Sequence, residues 1–415
     1  MSRTLLTGNG AAAWGARLAR IDYLPAFPIT PQTEIIETLS AWIDQGAMTC
    51  RMVTMESEHS MITAAGAAAA AGVRAFTATS SQGLLYGLEM LYAVAGWRVP
   101  LVMVNVSRAL AAPITLEPDH NDVLAARDSG FLQIHCATCQ EVVDTMLLAY
   151  RLSEDARVRL PVIVNLDGYY LSFTREPVEL PSAEMAAAFL PDPAARPDRI
   201  QACRPTSQGI AVLGGSQYSY FRYQQHLAAL AALDIFDELG RAYGDLSGRP
   251  YSALELYRSA DADIVFVMIG SFATKAKDAV DRLRDLGLAV GLVRLRLVRP
   301  FPEAALAAAL AGKKGVAVVD QNLSLGKGGI LFHELTSALY NRPDRPRVVA
   351  SYVGGLGGRD ISLEDFRGMA EETAQAADTG RAPAPRLLYT SAELAQMRGV
   401  QAIAAAPAAP EGGPS

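Results

Sequence analysis

Cysteine is scarce. The chain holds four in 415 residues, Cys50, Cys136, Cys139 and Cys203, too few for a disulfide framework. They cannot form the four-cysteine run of an iron–sulfur cluster, and the single C-x-x-C in "HCATCQ" has no second pair to complete a closed zinc site. Cys is among the most buried residue types, so Cys136 and Cys139 read as core cysteines of a buried strand. Charge is thin as well. Only 19% of residues are charged, and the net charge of −6 is spread with both signs interspersed. No Lys/Arg block with interleaved aromatics exists, which argues against nucleic acid as a partner. No apolar run approaches the roughly 18 to 20 residues of a membrane span, and the opening "MSRTLLTGNG" lacks the apolar stretch of a signal peptide. A soluble cytoplasmic protein without membrane contact is expected.

What is present is apolar bulk. Half of the residues are hydrophobic, and the length exceeds one ordinary domain, so two compact domains are expected. From about residue 48 one theme repeats. "MTCRMVTM", "VRAFTAT", "PLVMVNV", "FLQIHCA" and "LPVIVNLDG" read as strands; "EHSMITAAGAAAAAG", "QGLLYGLEMLYAVAG", "HNDVLAARDSG" and "QEVVDTMLLAYRLSEDA" read as the helices between them. The strands are continuous apolar runs, the pattern of a parallel sheet covered by helices on both faces. Residues 1–180 therefore read as a doubly wound α/β domain. Residues 181–260 break the rhythm with a Pro/Ala-rich connector and one long helix. Alternation resumes over 261–365 as a second α/β domain, and 366–415 reads as an extension ending in a disordered Ala/Pro tail.

Three places invite a chemical reading. Glu56, Glu58 and His59 sit between a strand and a helix. They are either partners of the helix dipole or, beside the Ala/Gly run that follows, a buried acid/base group. Arg108 follows a strand at its carboxyl end, where ligands sit in open α/β sheets, and its fork suits a carboxylate. The alternative there is a surface ion pair. Gly326, Gly328 and Gly329 in "DQNLSLGKGGI" read as a turn needing positive φ more than as a phosphate cradle. "TGNGAAAWG" lacks the spacing and the preceding strand of a dinucleotide loop and reads as a turn into a helix.

Taken in order, "AFPITPQTEIIETL", "ESEHSMITAAGAAAAAG", "TATSSQGLLYGLEMLYAVAG", "VSRALAAPITLEPDHNDVLAARDSGFLQI" and "PVIVNLDGYYLS" resemble the α subunit of 2-oxoacid:ferredoxin oxidoreductases, the pyruvate synthase family. "VMIGS", "VGLVRLRLVRPFP", "VVDQNLSLGKGGIL" and "YVGGLGGRDIS" extend the resemblance through the second domain. It implies a pyrimidine-type thiamine diphosphate-binding domain followed by a transketolase C-terminal-like domain. It also implies oxidative decarboxylation of a 2-oxoacid, with CoA, to an acyl-CoA and CO2.

By that resemblance Glu58 is the glutamate that bonds N1′ of the aminopyrimidine. A carboxyl group there favours the imino tautomer, whose exocyclic nitrogen can take the proton from the thiazolium. Ser81 and Gln82, in "TSSQG", become candidates for the coenzyme's surroundings. Thr30, in "FPIT", and Arg108, in "SRAL", match positions that bind the substrate carboxylate. Asp119, His120 and Asp122 read as a structured loop near the site.

The chain has no G-D-G followed by an Asn some thirty residues on, the usual thiamine diphosphate and magnesium motif, and no metal ligand set of its own. The resemblance therefore assigns Mg2+ binding to a β subunit, and the iron–sulfur clusters to γ and ferredoxin-like subunits. A flavin subunit that reduces NAD is a further candidate partner. Gly10 stands where the family carries a glutamate, and Glu117 and Pro118 occupy a loop that is aromatic in pyruvate enzymes. Substrates from pyruvate to an aromatic acid, as in phenylglyoxylate dehydrogenase, stay open, with oxoglutarate, branched-chain and indolepyruvate variants. Two competing readings are a non-oxidative thiamine diphosphate decarboxylase or transketolase-like subunit and an inactive scaffold subunit.

Overall fold

The computed structural model describes residues 2–190 and 199–405. The Pro/Ala-rich centre of the connector, 191–198, and the last ten residues, 406–415, lie outside the described residues.

The α/β class read from the sequence is the one observed. In the first unit the strands Leu132–His135, Val162–Asp167, Val102–Ser107 and Phe76–Thr79 pair in that order, all parallel. Each is buried along its whole length, which explains why none alternates in polarity. The pair Tyr23–Ala26 and Arg51–Thr54 continues the layer through a bridge between Tyr23 and Ala75. An antiparallel ribbon, Ser2–Thr7 with Arg175–Leu180, brings the two ends of the unit together.

The second unit carries a six-stranded sheet. Its parallel members Val348–Val353, Gly315–Asp320, Ile264–Ile269 and Val290–Leu295 are flanked by Arg386–Leu387 on one side and antiparallel Leu254–Tyr257 on the other. The helix Leu363–Thr379 packs Phe366, Met369 and Ala370 into this unit's core, so the unit's packing continues beyond residue 365. A helix spans Ser391–Ala405, so residues 403–405 of the expected tail are helical, and the rest of it lies outside the described residues.

Three local expectations need correction. "QGLLYGLEMLYAVAG" is two helices, Ser81–Tyr86 and Leu88–Gly96, broken at Gly87. A Cβ at Gly87 would collide with Ile62, so the break lets the helix Glu58–Ala70 come close. "HNDVLAARDSG" is helical only over Asn121–Ala125. The long helix Gly215–Ser247 is more than a connector: Ala232, Ile235, Phe236, Leu239 and Tyr243 are buried in the first unit's core.

The two units are stitched together. "VGLVRLRLVRP" looks like one strand but divides after Leu295, and Leu297–Arg299 crosses over to pair antiparallel with Leu132–His135. Arg294, 1% exposed, is held by Glu141 of the first unit at 2.8 Å and Glu255 of the second at 2.6 Å. A buried guanidinium is tolerable only when paired in this way. Burial alone would raise the Glu255 carboxyl, but Arg294, Arg296 and Lys277 more than offset it and bring it down to about 2. Among the described residues no helix is long and apolar enough to cross a membrane.

Candidate functional site

The site forms at the carboxyl ends of neighbouring strands in the first unit. Ser57 caps the helix Glu58–Ala70, its hydroxyl accepting from the Ser60 amide at 3.2 Å. This cap turns Glu58 inward in the first turn, where its carboxylate is favoured by the helix dipole. Glu58 is 5% exposed, and its carboxylate rests over the α-carbon of Gly83 and beside Thr79. Among the described residues nothing hydrogen-bonds to that carboxylate. Glu56, by contrast, is exposed and accepts from Ser60, and His59 pairs at 3.5 Å with exposed Glu89. Of the three, only Glu58 is a buried group.

The Ala/Gly run behind it makes close contacts within its own chain. One face of the helix packs on its own chain: Gly66 lies against Val94 and Trp97, where a Cβ would fall 2.5 Å from Val94 Cγ2. The small residues mainly let two helices of this unit approach closely.

Arg108 follows the strand Val102–Ser107 and is 7% exposed. Its Nη1 donates to the Thr30 carbonyl at 2.9 Å and its Nη2 to Gln82 Oε1 at 2.6 Å. Burial lowers its pKa while nearby Asp122 opposes that shift; an arginine there still carries its charge. Thr30 is exposed, on a turn held from beneath by Asn9, whose Nδ2 donates to Pro31 O at 2.9 Å. Ser81 is buried at φ 49°, and its hydroxyl donates to Ala109 O at 3.0 Å and to Gln82 Oε1 at 2.7 Å. The structure thus joins Thr30, Ser81, Gln82 and Arg108 by direct hydrogen bonds and places Glu58 against Gly83, one residue beyond Gln82.

Among the described residues, four buried polar atoms on these strand ends lack a hydrogen-bond partner: Thr79 Oγ1, Ser80 Oγ, Gln82 Nε2 and Arg108 Nε. Buried polar groups are nearly always satisfied. The concentration of these four atoms beside Glu58 makes these strand ends the candidate site. A larger concavity of about 850 Å3 lies elsewhere, bordered by Arg127, Phe131, Arg222, Leu233, Arg299 and Glu334 among others, and by none of the five candidate residues. Its Arg299 is already neutralised by Glu334 at 2.6 Å.

Behind the site lies a polar network that the sequence reading reduced to a loop. Asp122 is fully buried and accepts from Ser81 N, Arg108 N, Asn105 Nδ2, Ser107 Oγ and Val123 N. Burial raises its pKa, and the donors from Asn105, Val123 and Ser81 pull it back. His120 Nε2 and Asp167 Oδ1 are 2.7 Å apart, and Asp167 Oδ2 accepts from Ser271 of the second unit. Burial disfavours the His120 imidazolium, but Asp167 outweighs it and the pKa rises. His135, edge-on to His120 at 5.4 Å, is pushed down to about 3 by burial and by that neighbouring charge. A signal for part of this network was available: Asn105 and Asn165 interrupt apolar strands and are register partners.

Cys136 and Cys139 are both buried and free, their thiols pushed far up by burial. Among the described residues no cluster of three or more His, Cys, Asp or Glu side chains is arranged to hold a metal ion. Gly326 and Gly328 adopt φ of 78° and 108°, as a turn requires.

A family model described as pyruvate flavodoxin/ferredoxin oxidoreductase, thiamine diP-bdg, matches residues 14–239, and one for the pyruvate:ferredoxin oxidoreductase core domain II matches residues 262–366. The pyruvate synthase subunit PorA of Methanothermobacter thermautotrophicus is 41% identical over 359 residues, 86% of this chain and 92% of that protein. The ketoisovalerate oxidoreductase subunit VorA of Pyrococcus horikoshii is 39% identical over 380 residues, 91% of this chain and 95% of that one. Among solved structures, a 2-oxoglutarate:ferredoxin oxidoreductase from Magnetococcus marinus superposes with a TM-score of 0.70 at 20% identity, covering 90% of this chain and 65% of that chain. A split-gene transketolase, an inactive β4 tetramer, gives 0.51 at 12% identity, covering 88% and 97%. These two show likeness of fold.

Proposed function

The chain belongs to the pyruvate flavodoxin/ferredoxin oxidoreductase family, and from that premise we propose that Glu58 holds the pyrimidine of thiamine diphosphate while Arg108 and Thr30 hold the carboxylate of a 2-oxoacid. As a family member it is a subunit of a multi-subunit 2-oxoacid:ferredoxin oxidoreductase that uses thiamine diphosphate. The observation that carries the assignment of roles is the buried, unpaired carboxylate of Glu58. Buried polar groups are nearly always hydrogen-bonded, and a ring nitrogen able to share a proton would supply the partner that this carboxylate lacks among the described residues.

When bound, thiamine diphosphate supplies the carbon centre that adds to the 2-keto group and accepts the electron pair left as CO2 departs. Glu58 would share a proton with the pyrimidine, and its own burial would strengthen the bond. Arg108 orients the departing carboxylate through a guanidinium already fixed by Thr30 O and Gln82 Oε1, so little ordering is left to the encounter. Ser81 and Gln82 line the coenzyme's side of the cleft, and the orphaned Gln82 Nε2 offers a donor there.

The half-site on this chain is completed by a β-type subunit that binds the diphosphate and Mg2+. γ and ferredoxin-like subunits carry the iron–sulfur clusters, CoA takes the acyl group, and a flavin subunit is added where NAD is the final acceptor. The absence of a magnesium-diphosphate motif and of a four-cysteine run in this sequence supports that division. Pyruvate is the first candidate substrate, with support from the names of the PorA relatives; an aromatic acid such as phenylglyoxylate is the second.

Glu58→Gln in the reconstituted complex tests the central role. Turnover should vanish with assembly intact, and wild-type rates would overturn the assignment. A panel of 2-oxoacids, assayed with CoA and a viologen dye, separates pyruvate from aromatic substrates.

A further inference from the structure

We infer that Asp122 is a positioning residue that sets the substrate-binding arginine by clamping two strand ends to a single carboxylate. The inference rests on the assignment of Arg108 to the 2-oxoacid carboxylate.

Asp122 sits in the first turn of the short helix Asn121–Ala125 and is 0% exposed. Its Oδ2 accepts from the amide of Ser81 at 3.0 Å, the amide of Arg108 at 3.3 Å and Asn105 Nδ2 at 3.1 Å. Its Oδ1 accepts from Ser107 Oγ at 2.9 Å and the Val123 amide at 2.7 Å. Every neighbour is a donor, so only a group with two acceptor oxygens satisfies them all. Ser81 opens the helix Ser81–Tyr86 and Arg108 the loop after the neighbouring strand; beyond the pairing of the strands themselves, no backbone–backbone hydrogen bond joins these two segments among the described residues. The carboxylate does.

The link reaches the guanidinium by a second route. Ser81 is held in the left-handed region at φ 49°, a conformation that costs about 1–3 kcal/mol for a non-glycine residue and persists only when its surroundings enforce it. The Ser81 amide bond to Asp122 is one enforcing contact, and the Ser81 hydroxyl on Ala109 O is the other. This conformation turns Gln82 so that its Oε1 accepts from Arg108 Nη2. Asp122 therefore fixes Arg108 at its own backbone and, through Ser81 and Gln82, at the far end of its side chain. Its own oxygens are taken up by these protein donors, so it acts through Ser81 and Arg108.

The test is a double-mutant cycle in the assembled complex. Asp122→Asn is isosteric but brings an NH2 against a donor whichever way it turns. It should raise KM for the 2-oxoacid about fivefold to tenfold and change the thiamine diphosphate dissociation constant, followed by fluorescence quenching, less than twofold. In an Arg108→Ala background the same substitution should add less than twofold. Asp122→Ala serves the same cycle should the Asn variant not assemble. Unchanged KM, equal loss of coenzyme and substrate binding, or the same KM factor in both backgrounds overturns the inference. A silent Arg108→Ala, by contrast, overturns the underlying assignment of the arginine itself.

Discussion

The carboxylate of Glu58 covers the α-carbon of Gly83: a methyl group there would overlap Glu58 Oε1 and come within 2.5 Å of Thr79 Oγ1. Glycine at this position is a matter of space, since the residue is helical. Gly83→Ala should push Glu58 out of register with the pyrimidine and lower kcat at least tenfold with weaker coenzyme binding. Gly96→Ala, with open space at its Cβ, should leave both at wild-type values. Coenzyme titration of the two reconstituted complexes compares them directly.

Arg108 needs its fork. Two donors are spent on Thr30 O and Gln82 Oε1, and a lysine ammonium on a flexible stem cannot reproduce both while still facing a carboxylate. A hydrogen bond to a charged group contributes about 1.5–3 kcal/mol. Arg108→Lys should accordingly raise KM for the 2-oxoacid roughly 10- to 150-fold with far less effect on coenzyme affinity. Steady-state kinetics at saturating thiamine diphosphate would show this.

Much of the scaffold around these residues was legible because it depends on local pattern. Parallel strands such as Val102–Ser107 are buried on both faces and betray themselves as unbroken apolar runs. What stayed hidden depends on distant partners. Leu297–Arg299 is a separate strand only because Leu132–His135, far earlier in the chain, receives it. Arg294 reads as an ordinary polar residue in "VGLVRLRL" until Glu141 and Glu255 close around it. In the site, Glu58 and Arg108 were visible as strand-end charges, and Thr30, Ser81 and Gln82 through a resemblance. Gly83 and Asp122 were missed in their present roles, because a glycine that makes room and a carboxylate that ties two loops have no spacing signature.

The two buried histidines lean in opposite directions with pH. His135 is held down to about 3, below the usual unfolded value of about 6.5. The unfolded chain binds that proton more readily, so the stability tied to neutral His135 is complete above about pH 6.5 and is lost as pH falls towards 3. His120 has a raised pKa; its contribution is complete below about pH 6.5 and is lost as pH rises through the folded value. His135→Phe should flatten the acid limb of stability against pH, and His120→Gln the alkaline limb. Urea denaturation midpoints from pH 4 to 9 read both slopes. Exchanged or absent effects would refute the protonation states.

The loop that follows Arg108 is braced by the second unit, and a part for that unit in substrate choice can be tested. Ala109 N donates to Glu117 O at 3.1 Å, closing the loop on itself, and Gly358 N donates to Pro118 O at 2.8 Å. Gly358 has φ 76°, and a Cβ on it would lie 2.6 Å from Glu117 Cβ. Gly358→Ala therefore carries two penalties at one place: a left-handed backbone unsuited to alanine and a collision that displaces Glu117. Arg108 itself, fixed by Thr30, Gln82 and Asp122, should stay where it is. The expected outcome is a changed ratio of kcat/KM between pyruvate and a bulkier 2-oxoacid, by about threefold or more, with the coenzyme dissociation constant preserved. Equal losses on all substrates would instead mean that the loop supports the site as a whole and does not select the acyl group.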